Sequence, residues 1–409
     1  MHQSRGLALL LMLLIGATGC ASSSRRNSLP PPSAAFYLIH VENGVERSRR
    51  QMPAISASAD TAARRVITAG GRVYVAGSQP EFVTEMIARA GGLACVASPP
   101  PLIQQFGRND VMLYATRSRL AVTDLAKISR WRDEGVYVIA FASNALSPDP
   151  HFRPDVLIDS GERAGVELAG GKILPTDSII NLINAWAWTG EFIAACTRYG
   201  RTPVIHQSPN SPGGKERTAR YLGRHFHDDL AVAPIAPGVL GNAYLDRIKR
   251  SLDALSQSSP SPLRFAGLWL HEARRSSAAV ALMTGPLFPD HFRDERGPQP
   301  FRRYLPLSRA VSPDARFVAV VGHERPPQLQ IDAAHMRRYR LFYSTVHRGK
   351  DDMSVNIAYL DPRWPAGDAC LRLRGYDVPI LPASSIMQAV VYWSLLAEAE
   401  RVAMLERSS

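Results

Sequence analysis

The sequence predicts an α/β fold that is built twice: two tandem three-layer αβα domains, each with a parallel sheet of about five strands. In the first half of the 409-residue chain, short β-rich apolar runs alternate with helical stretches. This alternation is typical of a parallel sheet covered by helices on both faces. The second observation is that ILPTDSII at 173–180 recurs as ILPASSIM at 380–387, a spacing of 207 residues (380 − 173).

The elements of the first half follow from periodicity and from the glycines that end them. The segment 81–92, for example, has the apolar spacing of an amphipathic helix and ends in Gly91-Gly92. The apolar run RVYVAG at 72–77 has the composition of a strand. On these grounds we predict helices over 36–69, 81–92, 122–135 and 176–199, and strands over 72–77, 110–116, 136–143, 155–159 and 202–208.

The spacing of 207 residues relates further elements of the two halves. Trp186 falls on Trp393, and other pairs fall where both halves predict the same element. These pairs are 35–38 with 242–245, 72–78 with 279–285 and 110–116 with 317–323. Outside this register, we pair 155–159 with the segment that begins at Asp368. We therefore expect the second half to be a diverged copy of the first, with one domain over 35–235 and the other over 236–409.

The N-terminal segment has the form of a secretory signal. Arg5 precedes an apolar run from Leu7 to Ile15, and small residues stand directly before Cys20. The segment resembles a bacterial lipobox, which implies a signal peptide over 1–19 and a lipid on the Cys20 thiol. The alternative is a plain signal peptide cleaved nearby. The polar, proline-rich segment 20–34 suits a tether. We expect a lipid-anchored protein of the cell envelope, in the periplasm or on the outer surface.

The composition argues against several other classes of protein. The formal charge is +12, but only five of the 48 basic residues are lysines, and the arginines are dispersed, so we expect no nucleic-acid partner. Cys95, Cys196 and Cys370 lie in apolar surroundings and are expected to be buried thiols. The segment 225–229 contains two histidines and two aspartates, and we interpret it as a polar turn. We expect neither a metal nor a cofactor.

With these elements placed, the first half resembles the sugar isomerase (SIS) domain family. The resemblance rests on GGRVYVAGSQPE at 70–81, on 109–143, on PDVLID at 154–159 and on TPVIHQSPNSPGGKERTARY at 202–221. In the last segment, the residues that match a Ser-x-Asn-x-Pro-Gly-Gly-x-Glu pattern of candidate phosphosugar isomerases are Ser208, Asn210, Pro212, Gly213, Gly214 and Glu216. The resemblance covers about 36–221 and extends more faintly to 405. It implies a five-stranded parallel sheet and a ligand that is a sugar or a sugar phosphate.

The candidate ligand-binding residues follow strands or open a helix, where the loops at the carboxyl edge of a parallel sheet gather. They are Gly77, Ser78, Thr116, Ser118, Thr176, Asp177, Ser178, Ser208 and Asn210. We expect Ser78, Thr116 and Ser178 to line one cleft. The alternative is that these residues are ordinary helix N-caps. Two features depart from the family pattern, because Arg119 stands where a glycine is usual, and Pro326-Pro327 removes backbone donors in the second half.

Isomerisation of a sugar needs a base, and Glu167 and Glu216 are the candidates by position, with Glu162 and His206 beside them. The alternative is that these are solvated loop residues. Three functions remain open: an envelope-anchored binder of a phosphosugar or amino sugar, a phosphosugar isomerase that acts by enediol proton transfer, and a non-catalytic structural lipoprotein. Binding ranks first, and the residues leave open whether the chain is an enzyme and whether it forms a homodimer.

Overall fold

Helices and strands alternate along the chain in the computed structural model. It describes residues 33–408 except 88, 100–105, 118–121, 147–148, 162–163, 210, 277–278, 286–287, 289–290, 310, 312–313, 337 and 351. The helices are α1 Ala34–Arg50, α2 Met52–Ala69, α3 Pro80–Met86, α4 Val122–Asp133, α5 Asp177–Arg198, α6 Gly214–Arg220, α7 Val239–Ser258, α8 Pro260–Arg275, α9 Gln328–His335 and α10 Ser384–Ser408. The strands are β1 Val73–Gly77, β2 Val96–Ala97, β3 Val111–Ala115, β4 Tyr137–Ala142, β5 Val156–Asp159, β6 Gly165–Glu167, β7 Ile173–Pro175, β8 Ala279–Thr284, β9 Arg303–Leu305, β10 Ala315–His323, β11 Arg340–Thr345, β12 Ile357–Leu360, β13 Ala369–Leu371 and β14 Ile380–Pro382.

Two five-stranded sheets have the same topology. The first has the order β2-β1-β3-β4-β5, and the second has the order β9-β8-β10-β11-β12. All neighbouring strands within each sheet are parallel. Each sheet is followed along the chain by an antiparallel hairpin, β6–β7 or β13–β14, and then by a long helix, α5 or α10. The predicted α/β fold and its tandem duplication are confirmed.

The structure corrects several details of the prediction. The segment 202–208 is not a strand of the sheet, because Pro203 and Ile205 make only isolated antiparallel bridges to Phe226 and Leu93. The fifth strand is β2, whose two residues are too few to give a periodic signal. The predicted helix 36–69 is divided into α1 and α2 at Gln51, and the helix predicted over 81–92 already ends at Met86.

One proposed pairing between the halves is wrong. We paired 155–159 with the segment from Asp368, but β5 occupies the same edge position as β12, which is Ile357–Leu360. The segment from Asp368 contains β13, which corresponds to β6. The pairing failed because the offset of 207 residues is already lost before β12: it is 203 at β4 and β11 (340 − 137) and 201 at β5 and β12 (357 − 156), and it returns at β7 and β14 (380 − 173).

The inner faces of both sheets contribute to one continuous hydrophobic core. Its helices are α1, α2 and α5 from the first half and α7, α8 and α10 from the second. The outer face of each sheet has a smaller cluster of its own, under α4 in the first half and under α9 in the second. The predicted boundary between 235 and 236 lies in the segment that joins α6 to α7.

The cysteines are in keeping with the predicted buried thiols. Cys95 and Cys196 are buried, Cys370 is half-buried, and all three are free. Burial raises the pKa of the Cys95 thiol to about 12, so it is not reactive near neutral pH.

Candidate functional site

The carboxyl edge of the first sheet has a topological switch point between β1 and β3. These strands are neighbours, but the chain leaves β1 towards β2 on one side and β3 towards β4 on the other. Ligands of open α/β sheets bind in the crevice at such a point. Ser78 and Thr116 directly follow the two strands, and their hydroxyl oxygens lie 2.8 Å apart, in hydrogen-bond contact.

Two buried amides tie this edge to the start of α5. The Gln79 side chain donates to the carbonyl oxygen of Ser178 at 2.9 Å and accepts from the Asn181 side chain at 2.9 Å. The Asn181 amide also donates to the carbonyl oxygen of Thr116 at 3.1 Å. Sequence reasoning missed Gln79 and Asn181. In the sequence, Asn181 stands out as a polar residue within an apolar helical run, whereas Gln79, in GSQPE at 77–81, gives no such signal.

The structure brings Ser78, Thr116 and Ser178 to one place, but only Ser78 faces solvent. Thr116 is 0% exposed and Ser178 is 1% exposed. Gly77 holds β1 against β3, because a Cβ at this residue would lie 1.9 Å from the carbonyl oxygen of Ala115 and its φ is +147°. A ligand at this edge would therefore meet Ser78 first.

A carboxylate of the protein itself lies at the N-terminus of α5. Asp177 is 1% exposed and accepts a hydrogen bond from the backbone N–H of Ser178 at 2.7 Å. Arg296, which belongs to the second half, donates to both Asp177 oxygens, at 2.7 and 2.9 Å. Burial raises the pKa of Asp177, although Arg296 opposes this shift. Thr176 is the N-cap residue, and its side chain makes no capping bond.

The ion pairs extend from Asp177 to the loop after β3. Asp294 accepts from Arg296 at 2.7 Å and lies 3.6 Å from Arg117, which in turn donates to Glu81 at 2.8 Å. Burial raises the pKa of Glu81, with Arg117 opposing it. Burial also acts to raise the pKa of Asp294, but its hydrogen bonds from Arg296 outweigh burial and hold that pKa low. Three carboxylates thus face two guanidinium groups.

The second half repeats this arrangement with the roles of the two halves exchanged. Arg89 stands 207 positions before Arg296, and Ser384 stands 207 positions after Asp177. Arg89 donates to the Ser384 hydroxyl at 2.5 Å and lies 3.0 Å from the Asp368 carboxylate. Each half therefore sends an arginine to the N-terminus of the other half's long helix. At the switch point of the second sheet, His323 and Gly285 replace Thr116 and Ser78. A Cβ at Gly285 would lie 2.7 Å from the His323 ring.

The predicted catalytic glutamates are exposed, Glu167 in β6 and Glu216 in α6. Neither makes a side-chain hydrogen bond or ion pair to another described residue. His206 is half-buried, and its backbone N–H donates to the carbonyl oxygen of Gly92 at 2.8 Å. Burial lowers the pKa of His206. Ser208 is half-buried, and its carbonyl oxygen receives the N–H of Ser211 at 3.0 Å. Ser118, Asn210, Glu162 and Arg119 lie outside the described residues.

The polar turn predicted at 225–229 is only partly solvated. His227 is buried, 4.5 Å from the Tyr221 ring centre, and its ring lies 3.2 Å from the Asp229 carboxylate. Within the described part of the chain, no group of three or more His, Cys, Asp or Glu side chains could hold a metal ion. In the same part, no helix is long and apolar enough to cross a membrane.

Comparison with known proteins adds to the fold. No protein-family model and no curated protein matches this sequence. The C-terminal domain of a glucosamine-fructose-6-phosphate aminotransferase from Francisella tularensis is similar in structure, with a TM-score of 0.50 and 9% identity over 90% of this chain and 96% of that one. A candidate phosphosugar isomerase from Silicibacter pomeroyi has a TM-score of 0.46 and 11% identity, over 92% of this chain and 98% of that one. At these identities the likeness is one of fold, and the chain has the tandem sugar-isomerase-domain fold.

Proposed function

We propose that this chain binds a carbohydrate derivative at the switch point of its first sheet. The observation that supports this most directly is the Ser78–Thr116 hydroxyl pair, 2.8 Å apart at the ends of β1 and β3. The exposed Ser78 hydroxyl can donate to and accept from a hydroxyl of a sugar, and the buried Thr116 hydroxyl holds it in position. Hydrogen bonds of the Asn181 side chain to Gln79 and to the Thr116 carbonyl oxygen hold the pair in place, so that these residues lose little conformational freedom when a ligand binds.

The charge of this edge favours an uncharged sugar or an amino sugar over a phosphosugar. Among the described side chains, Glu81, Asp177 and Asp294 outnumber Arg117 and Arg296. A phosphate at the N-terminus of α5 would meet the Asp177 carboxylate, which already uses the Ser178 N–H. Like charges at such close range repel strongly in a buried site. An ammonium group would instead be attracted.

The first alternative is a phosphosugar isomerase, which the names of the structurally similar proteins suggest. It needs a base beside the sugar, and Glu167 and Glu216 remain the residues to test. The second alternative is a structural protein without a ligand. The burial of Thr116 and Ser178 is compatible with it.

The cellular setting belongs to the same proposal. The apolar run before Cys20 supports export and a lipid on the Cys20 thiol, and residues 20–34 would then act as the tether. Free sugar phosphates are cytoplasmic metabolites, so export also favours a sugar without phosphate. Mass spectrometry of the protein from cell membranes tests the lipid directly. An unmodified Cys20 would contradict the anchor.

Binding can be tested by calorimetric titration of the purified chain with glucose, glucosamine, glucose 6-phosphate and glucosamine 6-phosphate. We expect saturable binding that favours glucosamine or glucose, and about a fivefold or greater loss of affinity in Ser78→Ala, because one hydrogen bond to a ligand is worth about 1 kcal/mol or more. Ser261→Ala, at an exposed position of α8, is the matched control. Stronger binding of the phosphorylated sugars would contradict the charge argument, and no binding of any sugar would favour the structural alternative.

The isomerase alternative is tested in the same protein by following conversion of glucose 6-phosphate to fructose 6-phosphate. Turnover that disappears in Glu167→Gln or Glu216→Gln would establish that residue as the base. Turnover in the wild type that neither substitution changes would exclude both residues. An absence of turnover beside clear sugar binding would leave the binding function alone.

A further inference from the structure

A groove of about 690 Å³ lies at the amino edge of the second sheet, whereas the site described above lies at the carboxyl edge of the first. It is formed by the end of α8 and by the segments that enter β10, β11 and β12. Its charged lining residues are Arg316, Arg338, Arg340 and Glu272, so that positive charge exceeds negative charge. Ser276 and Asn356 add uncharged polar groups to the lining.

Arg340 is fixed in this groove from two sides. Its guanidinium group pairs with the Glu272 carboxylate and lies over the Trp269 ring, 5.5 Å from the ring centre. The Trp269 ring is itself 8% exposed and stacked on Phe265. A guanidinium group held by a carboxylate and an aromatic face loses little freedom when it binds a ligand.

Arg316 and Arg338 differ from Arg340 because no described carboxylate lies within ion-pair distance of either. Both side chains are exposed at the rim of the groove. Their charges add to that of Arg340, whereas Glu272 compensates for only one of the three. The groove therefore has two positive charges that no described acidic side chain balances.

In the first half, the side chains at the corresponding place are hydrogen-bonded to the backbone. Arg65, which stands 207 positions before Glu272, lies over Tyr137 and donates to the carbonyl oxygens of Arg108 and Gly135, both at 2.9 Å. Asn109, which stands 207 positions before Arg316, donates to the carbonyl oxygen of Ala69 at 3.2 Å. In the first half, backbone carbonyl oxygens therefore accept from both side chains. In the second half, Glu272 stands in place of Arg65 and Arg316 in place of Asn109, and both line an open groove.

We propose that this groove binds a multivalent oxyanion, such as the phosphate of a small molecule or of a lipid headgroup. Three guanidinium groups in one groove offer donors to the several oxygens of a phosphate, and a guanidinium group can donate two parallel hydrogen bonds. The proposal does not depend on the sugar site, which lies at the opposite edge of the other sheet and has an excess of carboxylates.

The test uses the full chain and inorganic pyrophosphate in calorimetric titration. We expect saturable binding that weakens with added salt and loses about tenfold or more in affinity in Arg316→Glu and in Arg338→Glu. Lys127→Glu, an exposed position on α4 with the same change of charge, is the matched control and is expected to change affinity less than twofold. Circular dichroism of each variant verifies that the fold is retained.

A second arm separates the two sources of phosphate. Sedimentation with phosphatidylcholine vesicles that contain phosphatidylglycerol reports binding to a lipid headgroup. Vesicle binding that both arginine variants lose, without pyrophosphate binding, would assign the groove to a headgroup, and the reverse would assign it to a soluble phosphate. The proposal is overturned if neither probe binds, or if the arginine variants bind as well as Lys127→Glu.

Discussion

The residue that most distinguishes the site is Arg296, which reaches from the second half into the first. Its partners Asp177 and Asp294 are each 1% exposed, and it donates to both. A buried carboxylate without a partner is strongly destabilising, whereas the intact pair contributes little by itself. Arg296 therefore matters chiefly because its removal would leave the buried Asp177 unpaired and Asp294 with Arg117 alone, at 3.6 Å.

We expect Arg296→Met to lower the free energy of unfolding by about 3 kcal/mol or more, because it leaves the buried Asp177 without an ion-pair partner and weakens the pairing of Asp294. Denaturant titration measures this change. Arg303→Met is the control, since its pair with Asp314 is solvent-exposed and is worth about 1 kcal/mol or less. Adding Asp177→Asn to Arg296→Met should recover part of the loss. Equal costs for Arg296→Met and Arg303→Met would contradict this account.

His291 predicts how stability depends on pH. The residue is 1% exposed, and neither ring nitrogen has a hydrogen-bond partner among the described residues. Burial lowers the pKa of His291 to about 3, from an ordinary value of 6.5, with Arg117 and Arg89 adding to the shift and Asp294 opposing it. Between pH 6.5 and pH 3, only the unfolded chain binds a proton at this histidine. The contribution of His291 to the free energy of unfolding is therefore complete above pH 6.5 and is lost as the pH falls towards 3.

We expect the wild type to lose about 1.4 kcal/mol per pH unit more than His291→Phe between pH 6 and pH 5, since the variant lacks this one proton. Phenylalanine has a similar shape and can keep the contact with Phe288. Unfolding titrations at several pH values give the two slopes. His225→Asn, at an exposed position, should leave the slope unchanged. Parallel curves for the wild type and His291→Phe would show that His291 does not titrate in this way.

For single residues, the sequence could predict which ones approach each other only where the order of the strands along the chain fixes their positions. Ser78 and Thr116 follow neighbouring strands, so their meeting could be expected from the α/β pattern. Arg296 could not be expected, because its contact with Asp177 depends on how the second half packs on the first. The glutamate predictions rested on loop position alone, and the solvent exposure of Glu167 and Glu216 lay beyond that evidence.

Among the helices, the two halves are joined by reciprocal caps. Glu191 in α5 accepts the N–H groups of Gly238 (2.6 Å) and Gly241 (2.8 Å) at the start of α7. Glu398, which stands 207 positions later in α10, accepts the N–H of Ala34 at the start of α1 at 2.9 Å. Each long helix thus satisfies free donors at the first helix of the other half.

We expect Glu191→Ala to cost about 3 kcal/mol, because it leaves the two amides and the Ser56 hydroxyl, which donates to Glu191 at 2.7 Å, without their acceptor. Thermal and denaturant unfolding measure the loss. Glu46→Ala provides the control, since Glu46 is partly exposed and its ion pair with Arg49, at 3.5 Å, lies within one helix. A cost below about 1 kcal/mol for Glu191→Ala would mean that water replaces the carboxylate.

Element prediction succeeded where the sequence signal is long. Strands β1, β3, β4 and β5 and helices α4 and α5 lie where the apolar runs and periodicity placed them. Strand β2 was missed because two residues carry no period. The run 202–208 has strand composition, but two of its residues make only isolated bridges, to Leu93 and Phe226, and the run does not join the sheet. The composition of a segment indicates its own conformation, but it does not show which strand or loop the segment pairs with.

For the chain as a whole, the duplication could be predicted from one octapeptide and its register, because the offset of 207 residues holds around the octapeptide and near the first strand of each half. The packing between the copies could not be predicted. The described residues belong to one compact unit, and its main core draws helices from both halves, with α1 against α7 and α10, and α5 against α7. Two sequence repeats therefore share one hydrophobic core.

This shared core predicts that both halves unfold in one cooperative transition. Opening either half alone would expose the inner faces of α1 and α7 and would break the caps at Glu191 and Glu398. In calorimetry, we expect a single peak whose calorimetric and van't Hoff enthalpies agree. Hydrogen exchange at increasing denaturant should give the same opening free energy for β3 and β10, which lie in different sheets. Glu191→Ala should lower both values equally. Two separated transitions, or a loss confined to one sheet, would show instead that the copies fold as independent domains.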